Sequence, residues 1–166
     1  MEEKKIITNV FKKTKSTKKQ SCFSNDHEQH SFESQNINSM YLDDNLRSGG
    51  PYKNIYKLIN QKINGYIQQD IKKDRLDNIN KITFDYVLEK IVESKLKCCY
   101  CKEIVLIDYN QIRQMNQWTL DRINNYIGHN VDNVLVSCLK CNLQRRRIKK
   151  DKFLFTKQLV LKKIDS

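Results

Sequence analysis

The sequence predicts a small α+β fold in which helices pack against a short pair of strands. Three observations predict it. Apolar residues recur at helical spacing from Tyr52 onward, the runs Trp118–Ile123 and Val131–Ser137 have strand composition, and two Cys-x-x-Cys motifs flank those runs. With 166 residues, the chain has room for one such domain and an appendage.

Residues 1–50 are expected to form a flexible basic and polar arm. The stretch Lys12–Lys19 is basic, and the polar stretch 24–39 lacks apolar periodicity. Burying such a stretch would not offset its conformational entropy. Gly49, Gly50 and Pro51 then predict a break before the folded part.

Residues 51–97 are expected to form the helical N-terminal part of the domain. Isoleucine and tyrosine recur every three or four residues from Tyr52 to Ile71, which is the pattern of an amphipathic helix. A second helix is predicted to start at Thr83, a suitable N-cap, and to end before Cys98.

Residues 98–166 are expected to form a metal-stabilised module around the two strands. The short run Ile104–Ile107 is consistent with a strand or with a core-facing loop. One continuous helix with a basic start is predicted after Cys138. Its apolar positions are expected to pack in the core: Phe153, Leu154, Phe155, Leu159, Val160 and Ile164.

Four of the six cysteines are predicted to hold a structural zinc ion: Cys98, Cys101, Cys138 and Cys141. The chain has no secretory signal and no long apolar run, so we expect an intracellular protein that is neither secreted nor inserted in a membrane. In that setting, paired cysteines bind metal more often than they form disulfides, although a redox pair or buried free thiols are alternatives. Four thiolates make a closed tetrahedral site with no position for a reacting water. Cys99, inside the first motif, could compete as a ligand.

The charge predicts a polyanionic partner. The formal net charge is +12 and the pI is about 9.4. Residues 145–152, with the sequence RRRIKKDK, concentrate this charge at the start of the last helix. Such residues favour contacts with nucleic acid phosphates, although a solvated helix face is the alternative. The candidate contacts are Arg145, Arg146, Arg147, Lys149 and Lys150.

The segment WTLDRINNYIGHNVDNVLVSCLKCNLQR, together with the first cysteine pair, resembles the HNH endonuclease family. The similarity is to the phage and giant-virus variants with four zinc-binding cysteines, and it covers residues 98–150, about a third of the chain. The resemblance implies a ββα-metal core of treble-clef type.

The resemblance also implies roles for single residues. Asp121 and Asn142 match the ligands of a catalytic divalent ion. Their oxygen atoms suit magnesium or manganese. Asn133 matches the asparagine that braces the loop between the strands through hydrogen bonds. Arg145 matches the basic residue that often follows the motif.

Arg122 departs from the family pattern, which has a histidine general base at this position. An arginine stays protonated and cannot be that base, but it can bind the scissile phosphate. His129, in the loop between the strands, is the candidate for the base. Alternatively, metal-bound water is activated without a protein base, or catalysis is lost.

The sequence therefore predicts a metal-dependent HNH endonuclease that hydrolyses phosphodiester bonds in DNA. The alternatives are a zinc-stabilised DNA- or RNA-binding module without cleavage, and a treble-clef module that binds protein. Cutting both strands of a duplex would favour a homodimer, because one metal site cuts one strand.

Overall fold

The computed structural model describes residues 26–109 and 111–159. These residues form a mixed α+β structure with five α-helices, a short 3₁₀ helix and a two-stranded antiparallel sheet, which confirms the predicted class. The elements are α1 (Asp26–Leu42), the 3₁₀ helix (Asp44–Ser48), α2 (Tyr52–Lys72), α3 (Phe84–Ser94), β1 (Trp118–Arg122), β2 (Val134–Cys138), α4 (Leu139–Arg145) and α5 (Lys150–Gln158).

Helix α1 corrects the expectation that residues 1–50 lack regular structure. Ile37 and Met40 of α1 are buried in the core. Glu33 accepts hydrogen bonds from the backbone N–H groups of Ile107 at 2.7 Å and Asp108 at 2.9 Å. A helix held by a polar anchor and few apolar side chains leaves no apolar period in the sequence, which is why the prediction was wrong here. The basic stretch Lys12–Lys19 lies outside the described residues.

Helices α2 and α3 confirm the two predicted amphipathic helices. Ile55, Ile59 and Ile63 form the buried stripe of α2. The Thr83 side chain caps α3 by accepting a hydrogen bond from the Tyr86 N–H at 3.3 Å. The cap satisfies a backbone donor that the first turn of a helix leaves free.

Strands β1 and β2 pair in a register that runs from Trp118 opposite Cys138 to Arg122 opposite Val134. The second strand starts three residues later than predicted. Asp132 has a positive φ of 64° and turns the chain, so that residues 131–133 belong to the loop.

Strand β1 lies between α2 and α4. Two of its backbone groups that β2 does not use are bound by α2: the Lys62 ammonium donates to the Trp118 carbonyl, and the Leu120 N–H donates to the Tyr66 hydroxyl at 3.0 Å. Capping an open strand edge in this way prevents it from pairing with another chain. Burial lowers the pKa of Lys62 to about 7.

The predicted continuous C-terminal helix is two helices. Helix α4 ends at Arg145, and Arg146 adopts a positive φ of 49° that no helix continues through. On α5, Phe153 is buried and packs edge-on against Tyr100 with 4.9 Å between ring centroids. Phe155 is 67% exposed and Leu159 is half exposed, contrary to the expectation of core packing. Residues from 160 onward lie outside the described part of the chain.

The hydrophobic core lies between the N-terminal helices, the 105–107 segment and the hairpin. Representative fully buried side chains are Ile59, Leu88, Ile107, Trp118 and Leu120. Within the described residues, none of the helices is both long enough and apolar enough to span a membrane.

Candidate metal centre and nucleic-acid site

Four cysteines converge beside the hairpin and could hold a metal ion such as zinc. They are Cys98, Cys101, Cys138 and Cys141, and their sulfur atoms all lie within 4.8 Å of one another. The Sγ atoms of Cys101 and Cys138 are 3.8 Å apart. Four sulfurs placed about 2.3 Å from a tetrahedral zinc ion would be separated by about 3.8 Å. Both the donor type and the spacing fit zinc.

Short backbone elements shape each cysteine pair. In the first pair, the Cys98 N–H donates to the Glu103 carbonyl at 2.9 Å, and the Lys102 N–H donates to the Cys98 carbonyl at 3.0 Å. In the second pair, Cys138 ends β2 and caps α4, and its Sγ accepts from the Cys141 N–H at 3.4 Å. A backbone N–H directed at sulfur stabilises the thiolate, which is the form that binds metal.

The neighbouring thiols already favour a thiolate at Cys98. Hydrogen bonds from Cys138 and then Cys99 lower the pKa of Cys98 far below its ordinary value. The same hydrogen bonding to Cys98 raises the pKa of Cys138 and of Cys99. Cys99 is not among the four clustered sulfurs, so its contact is with a ligand and not with the centre of the cluster.

Asp121 lies on the face of β1 that packs against α4, where two donors hold its carboxylate. The Tyr100 hydroxyl donates to Oδ2 at 2.6 Å, and the Arg145 guanidinium donates to Oδ1 at 2.8 Å. Arg145 also donates to the carbonyls of Arg122 at 2.7 Å and Ile123 at 2.8 Å. Burial raises the pKa of Asp121, while Tyr100 and Arg145 oppose that effect. The contact joins the first cysteine pair, β1 and α4.

The residues predicted to bind a catalytic divalent ion do not fit one in this arrangement. Both carboxylate oxygens of Asp121 already accept hydrogen bonds, and the positive charge of Arg145 lies beside them. The Asn142 amide nitrogen donates to Thr119 Oγ1 at 3.0 Å and to the Leu120 carbonyl at 3.4 Å, and no hydrogen bond among the described residues joins Asn142 to Asp121. In residues 26–109 and 111–159, the four cysteines are the only group of three or more His, Cys, Asp or Glu residues placed to hold a metal.

Asn133 holds the loop between the strands from inside. Its amide nitrogen donates to the carbonyls of Gly128 at 2.8 Å and Asn124 at 3.1 Å. Its side-chain oxygen accepts from the Asn124 N–H at 2.8 Å. These bonds use the whole amide on loop backbone, so Asn133 has no free group for chemistry.

The other face of β1, toward α2, brings Arg122 and His129 together around Asp70. Asp70 Oδ2 accepts from the His129 backbone N–H at 2.7 Å and lies 2.9 Å from His129 Nδ1. The Arg122 guanidinium is 3.8 Å from Asp70 Oδ1 and donates to the Ile127 carbonyl at 3.2 Å. All three side chains are largely withdrawn from water, with 3% of Asp70, 6% of His129 and 14% of Arg122 exposed.

Burial sets the protonation state of His129, and the Asp70 contact sets its tautomer. Burial lowers the pKa of His129, and the Asp70 hydrogen bond only partly opposes this. The imidazole is therefore neutral at pH 7. Since a carboxylate can only accept, Nδ1 carries the proton and Nε2 carries the lone pair. Tyr66 stacks on the ring with centroids 4.4 Å apart and fixes its plane. A fixed, neutral imidazole of this kind has the form of a general base.

Asp70 is the residue of this group that sequence reasoning missed. It falls within the amphipathic pattern of α2, where a single carboxylate resembles a solvent-facing charge. A signal was nevertheless present, because Lys62, Tyr66 and Asp70 recur every four residues and so share one stripe of the helix. That stripe lies along β1.

The basic residues near α4 divide into two groups. Arg145 is only 1% exposed and its guanidinium is bound to Asp121, so the expectation that it contacts phosphate is wrong for this arrangement. The other four predicted contacts lie at the break between α4 and α5. Arg146, Arg147 and Lys149 are exposed and Lys150 is partly exposed.

Comparison of the chain with protein-family models, curated proteins and solved structures gave no significant match. The protein that the geometry defines is a mixed α+β protein with a four-cysteine cluster able to hold a metal ion such as zinc.

Proposed function

We propose that this protein is a zinc-stabilised endonuclease that hydrolyses phosphodiester bonds in DNA, and that the unit β1–β2–α4 is its ββα core. The observation that carries the proposal is the Asp70–His129 pair beside Arg122. It supplies an oriented neutral imidazole and a guanidinium at one end of β1, where the sequence resemblance expects the catalytic residues. The net charge of +12 and the exposed arginines near α4 support a nucleic-acid substrate.

The chemistry that these residues support is attack of water on phosphorus. His129 Nε2 takes a proton from the water as its oxygen bonds to phosphorus, and the bond to the 3′ oxygen breaks, with that oxygen taking a proton from solvent. Arg122 binds the non-bridging oxygens through the N–H groups that Ile127 does not use. Asp70 positions His129 and balances the charge that develops on it. No step is assigned to a divalent ion, because Asp121 is bound to Arg145.

A plasmid nicking assay on zinc-loaded protein, with and without magnesium or manganese, tests the proposal. We expect nicking by the wild type and a loss of at least ~100-fold, the usual contribution of general base catalysis, in His129→Gln. Glutamine can still donate to Asp70 but cannot take the proton. His27→Ala, which removes an exposed histidine elsewhere, is the matched control and should nick normally. Circular dichroism of each variant checks the fold.

The same assay separates the proposal from two others. If nicking requires added metal, is lost in Asp121→Ala and Asn142→Ala, and persists in His129→Gln, then the ion site at Asp121 forms on substrate binding and the role of His129 is wrong. If pure wild type binds DNA and never cuts it at any pH or with any metal, the endonuclease proposal fails.

The second candidate is a zinc-stabilised DNA-binding module without cleavage. The Asp121–Arg145 ion pair favours it, because that pair occupies the carboxylate on which a catalytic ion would depend. Its expected signature is binding that weakens steeply with salt and no nicking. Cleavage of both strands of a duplex would favour a homodimer, which sedimentation of the protein on DNA would detect.

A further inference from the structure

The loop between β1 and β2 carries an exposed aromatic side chain at its tip. Tyr126 is 86% exposed and the adjacent Ile127 is 44% exposed. Neither side chain packs into the core, although both are apolar enough to do so. An exposed aromatic ring on a basic protein suits a ligand that has both an aromatic face and negative charge.

The loop that carries Tyr126 is held in place at several points. Asn133 binds the backbone of Asn124 and Gly128, and Asn124 Oδ1 accepts from the Tyr126 N–H at 2.9 Å. Gly128 packs so closely that an added Cβ would lie 2.5 Å from the Arg75 carbonyl oxygen. The ring of Tyr126 is therefore presented by a fixed backbone, and binding does not have to order the loop first.

Three arginines from separate parts of the chain contact the same loop: Arg75 after α2, Arg122 at the end of β1, and Arg146 after α4. The Arg75 guanidinium donates to the Asn125 carbonyl at 2.8 Å, and the Arg122 guanidinium donates to the Ile127 carbonyl. The Asn125 amide donates to the Arg146 carbonyl at 2.9 Å, which holds the exposed Arg146 beside the tip.

The surface around this tip is also mainly basic. Lys72 and Lys73 are exposed just before Arg75, and Asp74, between Lys73 and Arg75, is the one acidic residue in this run. Asp77 lies nearby, but its carboxylate accepts three hydrogen bonds from its own turn. A nucleic acid is the ligand that offers aromatic faces and a regular negative charge together.

We propose that Tyr126 stacks on an unpaired base of DNA while Arg75 and Arg146 contact the phosphates on either side. Bases inside a duplex are already stacked on each other, so a single ring at a loop tip gains most from a base that is single-stranded or bulged. Base–aromatic stacking contributes ~1–3 kcal/mol, which is about 5- to 150-fold in affinity. The inference rests on the proposed action on DNA, and it adds the form of DNA that the protein prefers.

Binding to two fluorescent oligonucleotide duplexes tests the proposal. One duplex carries a single bulged 2-aminopurine, and the other has the same sequence fully paired. We expect the wild type to bind the bulged duplex more tightly and to quench its 2-aminopurine. Tyr126→Ala should lose ~5- to 150-fold in affinity for the bulged duplex and lose the quenching, with little change on the paired duplex. Tyr126→Trp should retain both.

Phe155→Ala is the matched control, because Phe155 is an exposed aromatic residue on α5, away from the loop. It should bind both duplexes as the wild type does. Equal binding of the bulged duplex by Tyr126→Ala and wild type would overturn the stacking proposal and leave the nuclease proposal intact. No binding of any DNA by wild type would overturn both. A loss that is equal on both duplexes would show a contact with DNA that does not depend on an unpaired base, and it too overturns the inference.

Discussion

Charged side chains lie on both faces of strand β1, and the two faces differ in how many of their polar atoms have hydrogen-bond partners. On the face toward α4, Asp121 and Arg145 satisfy each other, and further hydrogen bonds use the remaining oxygen of Asp121 and more donors of Arg145. On the face toward α2, Asp70 orients His129 through Nδ1, and Nε2 has no partner among the described residues. The first arrangement holds strand, helix and cysteine cluster together. The second retains a group that can take a proton.

This difference shows why adjacent residues in one motif can have separate tasks. Asp121 and Arg122 are neighbours in the sequence, but side chains alternate along a strand and so point to opposite faces. Asp121 therefore faces α4 and the cysteine cluster, and Arg122 faces α2. Because both oxygens of the Asp121 carboxylate are bound, we assign this ion pair a role in stability, whereas the oriented imidazole of His129 is the group whose chemistry can be tested.

Removal of the metal should have the largest effect, and it should act first on the α4 side. Zinc binding contributes ~10–16 kcal/mol in small zinc domains, which is comparable to the whole stability of a domain. We expect a strong chelator, or Cys138→Ser, to abolish the protection of the hairpin amides from hydrogen exchange. Cys99→Ser is the control, and it should retain this protection because Cys99 is outside the cluster. Unchanged exchange protection after metal removal would contradict a structural role for the ion.

Breaking the Asp121–Arg145 pair should be the next largest effect. Removing one partner leaves a buried charge without its counter-ion, so we expect Arg145→Met to lower the free energy of unfolding by ~3–5 kcal/mol. The double variant Asp121→Leu, Arg145→Met should recover much of that loss, because no charge then remains buried. Urea denaturation of the two single variants and the double variant measures the free energy of unfolding of each. If the losses of the single variants simply add, the pair is not coupled and the comparison of the two faces fails.

A substitution on the α2 side should cost less. Gly128→Ala would place a Cβ 2.5 Å from the Arg75 carbonyl and 3.0 Å from Asp70 Oδ2. We expect a loss of ~1–3 kcal/mol as the loop shifts, together with slower nicking, because the shift moves the adjacent His129. Gly65→Ala is the control, as a Cβ there meets nothing within 4 Å. Normal nicking by Gly128→Ala would mean that the position of His129 is not critical.

The smallest expected effect is the pH dependence that Glu33 adds at the α1 contact. Burial raises the pKa of Glu33 from 4.5 to about 7. The folded state therefore binds this proton more tightly than the unfolded state, and stability falls as pH rises from about 4.5 to about 7. Between pH 6 and 8 we expect a loss of about 1 kcal/mol.

Glu33→Gln should not show this slope, and the difference between the variant and wild type cancels the contributions of all other titrating groups. Urea denaturation at pH 6 and pH 8 measures both proteins. Equal slopes in the two proteins would contradict the assignment to Glu33.

The sequence alone determined the elements whose signals are local. Hydrophobic spacing predicted α2 and α3, a capping threonine marked the start of α3, and strand composition marked β1 and β2. The two Cys-x-x-Cys motifs predicted a shared centre, because thiolates at that spacing have few other uses in such a chain. These signals act over a few residues, and distant contacts did not override them.

Only the tertiary structure decided which polar groups meet. Helix α1 is held by the contact of Glu33 with residues 107 and 108, and this contact leaves no periodic trace in the sequence. The partners of Arg145 and His129 likewise come from distant positions, Asp121 and Asp70. The sequence pattern around a charged residue is the same whether its side chain binds phosphate, metal or a buried counter-ion. The choice among them depends on burial and on which opposite charge the fold brings within about 3 Å.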